Sequence, residues 1–364
     1  MGLRILYLYY LYKEVDIMGL DVPLISIVLT TYNSEKVIER ALKGIVEQDF
    51  PLNRVELVVV DGGSKDNTLK MIREFVERYS KLFYDVKVII HDRNYGVSKA
   101  RNDGIKMSRG RYVLILDHDV FMERNVLHAL YSFLSTAPSE VVGVMPLLVP
   151  TSSFILDKWL VKILERRITE YYTVADCILL KRDIIEVVGY YDESLGPPFT
   201  IFEEREYGAR IKSKGFKIYI LGWVKAYHYS GIEDKEHNVN KKASSRISSA
   251  IHAILDKKYR YGLKKWVKSM PLLEKAKWFS YAIFTLFIPL TLAASIVTKS
   301  LYPLIAWLIP TLVLFIDVLK HYWNSKALHI SLAYSLIAYV WRLIRSLALV
   351  IPTRCCNEVS LYRL

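Results

Sequence analysis

The sequence predicts an α/β domain whose mixed, mostly parallel sheet is flanked by helices, followed by an amphipathic interfacial helix and two or three transmembrane helices. Three observations predict it. Short apolar runs alternate with segments of helical period through the first third of the chain. Several of those runs stop at a polar or glycine-rich tip, most abruptly where Tyr112–Leu116 gives way to Asp117-His118-Asp119. Finally, Trp278 to Thr298 carries no charge and is long enough to cross a bilayer.

Taken in order, Ile25 to Thr30 reads as a buried strand, and Ser34 opens a helix to about Gln48 with Val37, Ala41, Leu42 and Ile45 on one face. Val55 to Val60 is a second strand, followed by a helix capped by Ser64 and Asp66 that runs to Tyr79. Val86 to Ile90 is a third strand, Val97 to Met107 a helix, and Tyr112 to Leu116 a fourth strand. Such repetition predicts right-handed crossovers, with chemistry outside the C-terminal strand ends. Polar signatures lie at those ends: Thr31-Tyr32-Asn33, Asp61-Gly62-Gly63-Ser64 and Asp117-His118-Asp119.

Each signature has a physical use beside a plainer reading. Two carboxylates at the exit of a buried strand repel, and a cation held there explains them. Hard oxygen ligands on a short turn suit Mg²⁺ or Mn²⁺, with phosphate completing the shell. His118, between the two acids, is expected to point the other way and has no assigned role. Gly63 and Ser64 suit an ordinary strand-turn-helix connection, but that leaves Asp61 at the strand tip unexplained. Lys99 and Arg101 sit in the first turns of a helix, against its dipole, so they are either solvated charge or placed for a phosphate or nucleotide.

SIVLTTYNSE, VVVDGGSKDNT, NYGVSKARNDGI and DHD, in this order and spacing, resemble the inverting family-2 glycosyltransferases with a GT-A-type, Rossmann-like nucleotide-sugar-binding domain. The resemblance covers residues 24–232. It implies that Thr31, Tyr32 and Glu35 line a nucleoside pocket and that Asp61 contacts the base. It also implies that Asp117 meets the ribose or a metal-bound water, and that Asp119 ligates a Mn²⁺ or Mg²⁺ bridging the two phosphates.

The second half resembles the acceptor side of that family. Residues 171–196 are similar to its strand, basic pair, short helix and Gly-Phe-Asp-Glu, with Tyr190 for Phe. FEEREYGARIKSKGFKIYI, 202–220, is similar to its Glu-Asp-x-Asp helix. A sugar hydroxyl is a poor nucleophile and needs a general base. By alignment that base is Glu204. The family has Asp there more often, which keeps Glu203 in competition. Both are also ordinary first-turn acids, and Glu206 reads as the i,i+4 partner of Arg210. His228, in AYHYSG, stands where the family often has a metal-ligating histidine.

The chain has 364 residues and a formal charge of +13. Much of that charge is local, in a run from Lys257 to Lys277 with Glu274 as its lone acid. Basic residues just before apolar segments suit anionic lipid headgroups. No zinc-finger spacing or RNA-binding signature is present, so nucleic acid is not an expected partner. Tyr259 to Met270 reads as an amphipathic helix on the cytoplasmic leaflet. The positive-inside rule places the catalytic domain in the cytoplasm of an integral protein of the cell membrane. Arg342 and Arg345 share a helix face of the third apolar segment, either snorkelling to headgroups or contacting the phosphate of a lipid-linked acceptor.

Three cysteines without metal or disulfide spacing fit a reducing compartment, with Cys177 buried and the Cys355–Cys356 pair open to acylation. The expected division is an N-terminal extension (1–20), a catalytic domain (21–235), a basic juxtamembrane region (236–277), transmembrane helices (278–298, 301–319, 327–350 within 278–351) and a tail (352–364). The expected activity moves a sugar from a nucleotide-sugar donor to a hydroxyl of a lipid or lipid-linked glycan. The alternative is a polyprenyl-phosphate sugar synthase, whose ionised acceptor needs no base. A processive synthase would show Gln-x-x-Arg-Trp, and a nucleotidyltransferase a glycine-rich first loop; neither is present. An intact DHD and glutamate pair argue against a non-catalytic scaffold.

Overall fold

The computed structural model describes residues 22–151, 155–174, 176–195, 202–229, 257–323 and 328–351. The N-terminal extension, Cys355, Cys356 and residues 236–256 of the juxtamembrane region lie outside them. In chain order the domain begins β1 (Ile25–Thr31), α1 (Ile38–Val46), β2 (Val55–Asp61), α2 (Thr68–Tyr79), β3 (Asp85–Ile90), α3 (Val97–Met107) and β4 (Tyr112–Asp117). It continues β5 (Val120–Met122), α4 (Val126–Thr136), β6 (Val141–Pro150), α5 (Ile155–Leu164), β7 (Ile168–Glu170) and β8 (Cys177–Lys181). Then come α6 (Asp183–Val188), α7 (Glu203–Ser213) and β9 (Lys217–His228). The described chain closes with α8 (Lys257–Ser269), α9 (Leu272–Thr298), α10 (Tyr302–Tyr322) and α11 (Leu328–Val350).

The strands form one mixed sheet in the order β3-β2-β1-β4-β8-β6-β9-β5, with β7 also on β9. β3, β2, β1 and β4 are mutually parallel, the arrangement their alternation with helices predicts. β8 runs antiparallel to β4, so the start of β8 lies beside the end of β4. Alternate residues feed two cores. Ile25, Ile27 and Leu29 of β1 pack with Ile38, Leu42 and Ile45 of α1 and with Leu127 and Leu130 of α4. Val28, from the opposite face, joins Ile105 of α3, Ile184 of α6, and Tyr207 and Ile211 of α7. α7 lies close under the loop before β8: a Cβ at Gly208 would come within 1.8 Å of the Tyr172 carbonyl oxygen.

Two helices start later than the sequence suggests. α1 begins at Ile38 because the Ser34 side chain bonds Thr31, while its backbone N–H donates to Thr68 Oγ1 at 2.8 Å. α2 begins at Thr68 and is capped by Asp66, which accepts the Thr68 N–H at 3.0 Å. Ser64 does not cap it; its hydroxyl donates to Asp61 at 2.6 Å. The chain after β1 is therefore stitched to the chain after β2, which fixes two strand tips together.

α9, α10 and α11 are each long and apolar enough to cross a membrane. α11 nevertheless packs at both ends against elements outside the three long apolar helices. Ile330 joins the core that contains Ile163 and Leu164 of α5. Ala348 and Leu349 pack with Leu263 and Val267 of α8 and Ala209 of α7. Between those contacts Tyr339 packs on Tyr281 of α9 and Val318 of α10. The apolar face of α8, expected to rest on lipid, is covered by protein instead: Leu263, Val267 and Met270 are buried in the cluster with α7, α9 and α11. That cover wins because it removes the same apolar area from solvent while fixing α8 against α7.

Candidate active site

The tips of β1, β2, β4 and β9 and the start of α7 open onto a cleft of about 720 Å³. Thr31, Tyr32, Arg101, Asp117, His118, Asp119, Glu203, Glu204 and His228 all line it. Eight of the candidate residues read from the sequence are thus brought to one cleft. His118, expected to turn away, also lines the cleft, its Nδ1 at 3.2 Å from the Thr30 carbonyl oxygen. The chain turns sharply between β4 and β5, so strand alternation no longer fixes side-chain direction there.

At the centre is Arg101, 1% exposed. Its Nη2 donates to Asp117 Oδ2 at 2.7 Å and to Glu204 Oε1 at 3.2 Å. Asp117 is held from its other side by the Thr30 hydroxyl at 3.0 Å. Burial works against the guanidinium charge, but Asp117 and Glu204 outweigh it and raise the Arg101 pKa. Its Nε and Nη1 lack a hydrogen-bond partner among the described residues. The ring of Tyr191 lies 5.3 Å beneath it, and Tyr191 stacks on Tyr207 at 4.2 Å.

Asp119 lies apart from this centre and pairs with His228 Nε2 at 3.2 Å. Their proximity follows from pairing β5 with the end of β9, where Val120 faces His228. Burial works to raise the Asp119 pKa, but the His228 hydrogen bond and charge lower it overall. The same hydrogen bond raises the imidazole to about 9.

Sequence reasoning missed Asp176, which completes the site. A carboxylate oxygen each from Asp117, Asp176 and Glu204 lie within 4.8 Å of one another. Asp176 precedes β8, and because β8 is antiparallel its start falls beside the end of β4. Its backbone φ of 54° marks a strained turn there. Burial, then the charge of Asp117, push Asp176 up to about 7. Glu204 is pushed up to about 7 by burial and then Asp176, and Glu203 to about 7 by burial and then Glu204. The visible signal was an acid immediately before the apolar run CILL, unreadable without the strand direction.

Three expected donor contacts do not face the cleft. Glu35 accepts the Asn67 N–H and side-chain amide, each at 3.0 Å, joining the two loops. Lys99 pairs with Asp103 one helical turn on, at 2.5 Å. Asp61 is fully buried and accepts from Gly63 N at 2.9 Å, Ser64 N at 2.8 Å and the Ser64 hydroxyl. It holds the turn that presents Gly62 to the cleft. Glu206 is the ion-pair partner of Arg210 at 2.9 Å, as its spacing suggests. The Gly189–Glu193 segment works as a clasp: Glu193 takes the Asn102 amide at 2.8 Å, and Asp192 pairs with Lys265 of α8 at 2.6 Å.

Residues 26–189 match the family model described as Glycosyl transferase family 2. Glycosyltransferase AglE of Haloferax volcanii is 31% identical over 121 residues, which is 33% of this chain and 38% of AglE. Poly(ribitol-phosphate) beta-N-acetylglucosaminyltransferase TarS of Staphylococcus aureus is 30% identical over 224 residues, 58% of this chain and 36% of TarS. The chain thus spans little more than a third of the length of these relatives. The crystal structure of S. aureus TarS 1–349 superposes with a TM-score of 0.51 over 70% of this chain and 82% of that one, at 19% identity, and shares its fold. Motifs, sheet and family match agree that this chain carries a glycosyl transferase family 2 domain of GT-A type.

Proposed function

We propose that the protein is a membrane-bound inverting glycosyltransferase that moves one sugar from a nucleotide-sugar donor to a hydroxyl of a lipid or lipid-linked glycan. The observation that carries this reading is the convergence of Asp117, Asp119, Glu203 and Glu204 on one cleft that Arg101, Arg205 and His228 also line, with Asp176 close beside Asp117 and Glu204. Glu204 would take the hydroxyl proton as the acceptor oxygen bonds the anomeric carbon, while the bond to the diphosphate breaks on the opposite face. Tyr32 and Gly62 at the rim offer an aromatic face and exposed backbone to the nucleoside. TarS 1–349 has been solved with UDP, which supports a nucleotide-sugar donor here.

The donor set also fits a divalent cation, Mn²⁺ or Mg²⁺. Mutual repulsion helps push Asp176, Glu203 and Glu204 up to about 7, so the cluster gains from added positive charge. Asp119 and His228 supply a hard oxygen and an imidazole close together, and Asp117 lines the same cleft. Such a cation, when bound, would offset the charge of the departing diphosphate. The basic residues before α9 favour a cytoplasmic catalytic domain at the membrane.

The test is transfer from a panel of nucleotide sugars to extracted membrane lipid. Glu204→Gln should lower kcat by about 10²- to 10⁴-fold while leaving donor binding intact. If Glu203→Gln gives that loss and Glu204→Gln does not, the base is Glu203. Normal transfer by both variants would reject a hydroxyl acceptor in favour of a phosphate.

A further inference from the structure

A second cavity, of about 330 Å³, lies between α7, α8 and the membrane helices. Five cationic side chains line it, Arg205, Lys212, Lys277, Arg342 and Arg345, against two carboxylates, Glu170 and Glu274. Glu274 sits between Lys212 at 3.5 Å and Lys277 at 3.7 Å, and Lys277 also meets Asp317 at 3.0 Å. Glu170 accepts the Tyr172 hydroxyl at 2.8 Å. Five cations against two lining carboxylates leave the cavity an excess of positive charge, and three of the five are guanidinium groups.

Position makes that charge informative. Trp278 and Tyr281 at the start of α9, with Trp266 of α8, form the wall, and such side chains favour the level of lipid headgroups. Arg342 and Arg345 are one turn apart on α11, so they reach the cavity from one helix face. Arg205 lies over the Trp266 ring at 5.4 Å and lines both this cavity and the catalytic cleft. It directly follows Glu204. A molecule seated against Arg205 can therefore reach from this cavity toward the cleft that Glu204 lines.

We propose that this cavity binds the phosphate or diphosphate by which the acceptor is joined to its lipid carrier. Guanidinium groups bind phosphate oxygens in pairs, which ammonium groups do not match. The carrier's chain would leave past α9 and α11 into the bilayer, and its sugar would point along Arg205 into the cleft. This assignment rests on the transferase reading above and adds to it where the lipid is held.

The test is binding of radiolabelled farnesyl diphosphate to the full chain in neutral-lipid nanodiscs, without donor. Saturable binding should resist competition by farnesol, inorganic diphosphate and phosphatidylglycerol, each at least ten-fold weaker than unlabelled farnesyl diphosphate. Equal competition by farnesol would make this an apolar groove, by inorganic diphosphate a free-anion site, and by phosphatidylglycerol a general headgroup site. Any of the three overturns the proposal with the wild-type protein alone. Arg342→Gln with Arg345→Gln should weaken binding at least ten-fold at an unchanged melting temperature, and the corresponding lysine variants should recover only part of it. Full binding by a folded double glutamine variant would also overturn it. Because no donor is present, these results are independent of the Glu204→Gln transfer assay.

Discussion

Arg101 decides how the cleft is held. One guanidinium spans Asp117 and Glu204 at 1% exposure, so removing it leaves two carboxylates facing each other beside Asp176. Arg101→Ala should destabilise the domain by about 3–5 kcal/mol, the range for breaking a buried ion pair from one side; chemical denaturation measures this. The acids also set a pH response. Glu204 sits at about 7, so it is protonated and unable to accept a proton below that pH. Transfer should therefore rise as pH increases through about 7. Asp176 helps raise Glu204 through its like charge, so Asp176→Asn should move this rise to lower pH. A pH profile of kcat/KM checks the direction, and an upward move would contradict the assignment of Glu204 as base. At this scale the sequence was legible where a motif ended a strand, as at Asp117 and Asp119. It was not legible for Asp176, whose position depends on the direction of its strand, nor for the partners of Lys99 and Glu35, Asp103 and Asn67, which the packing of helix and loop decides.

At the scale of elements, the first four strands and their helices follow from apolar runs and caps, and the structure keeps them in nearly the same bounds. The helix starts moved because Ser34, Ser64 and Thr68 bond across the two loops rather than along their own helices. α11 is the element whose hydropathy says least about its placement. At ~1.5 Å per residue it is about 34 Å long, so a perpendicular crossing would carry one end far from the domain. Instead Ile330 packs in the core with Ile163 and Leu164 of α5, and Leu349 in the cluster with Ala209 of α7 and Leu263 of α8. α11 is accordingly expected to lie along the membrane surface, with α9 and α10 as the crossing hairpin. A reporter fused after residue 364 should then fall on the same side as the catalytic domain. Alkaline phosphatase and green fluorescent protein fusions check this, and a reporter on the opposite side would establish α11 as a third span.

At the scale of the whole molecule, composition divided the chain into a catalytic part and an apolar part, but it could not show how tightly the two are joined. Long-range packing decides that, and no local pattern in the sequence records it. The Asp192–Lys265 pair ties the catalytic domain to α8, and the Phe202 ring, at the entry to α7, stacks on Trp266 at 5.3 Å. Ala209, Leu263, Val267, Trp278 and Ala348 come from four helices, yet share one cluster. Shortening the chain to residues 1–277 would leave Ala209, Leu263 and Val267 without the cover of Trp278 and Ala348. Such a fragment should aggregate or need detergent even though the three long apolar helices are cut away, which sedimentation in detergent-free buffer would reveal. The autonomy of the sheet domain is thus narrower than its boundary: it cannot be lifted off the long apolar helices as a self-sufficient unit, because part of its interior is furnished by them.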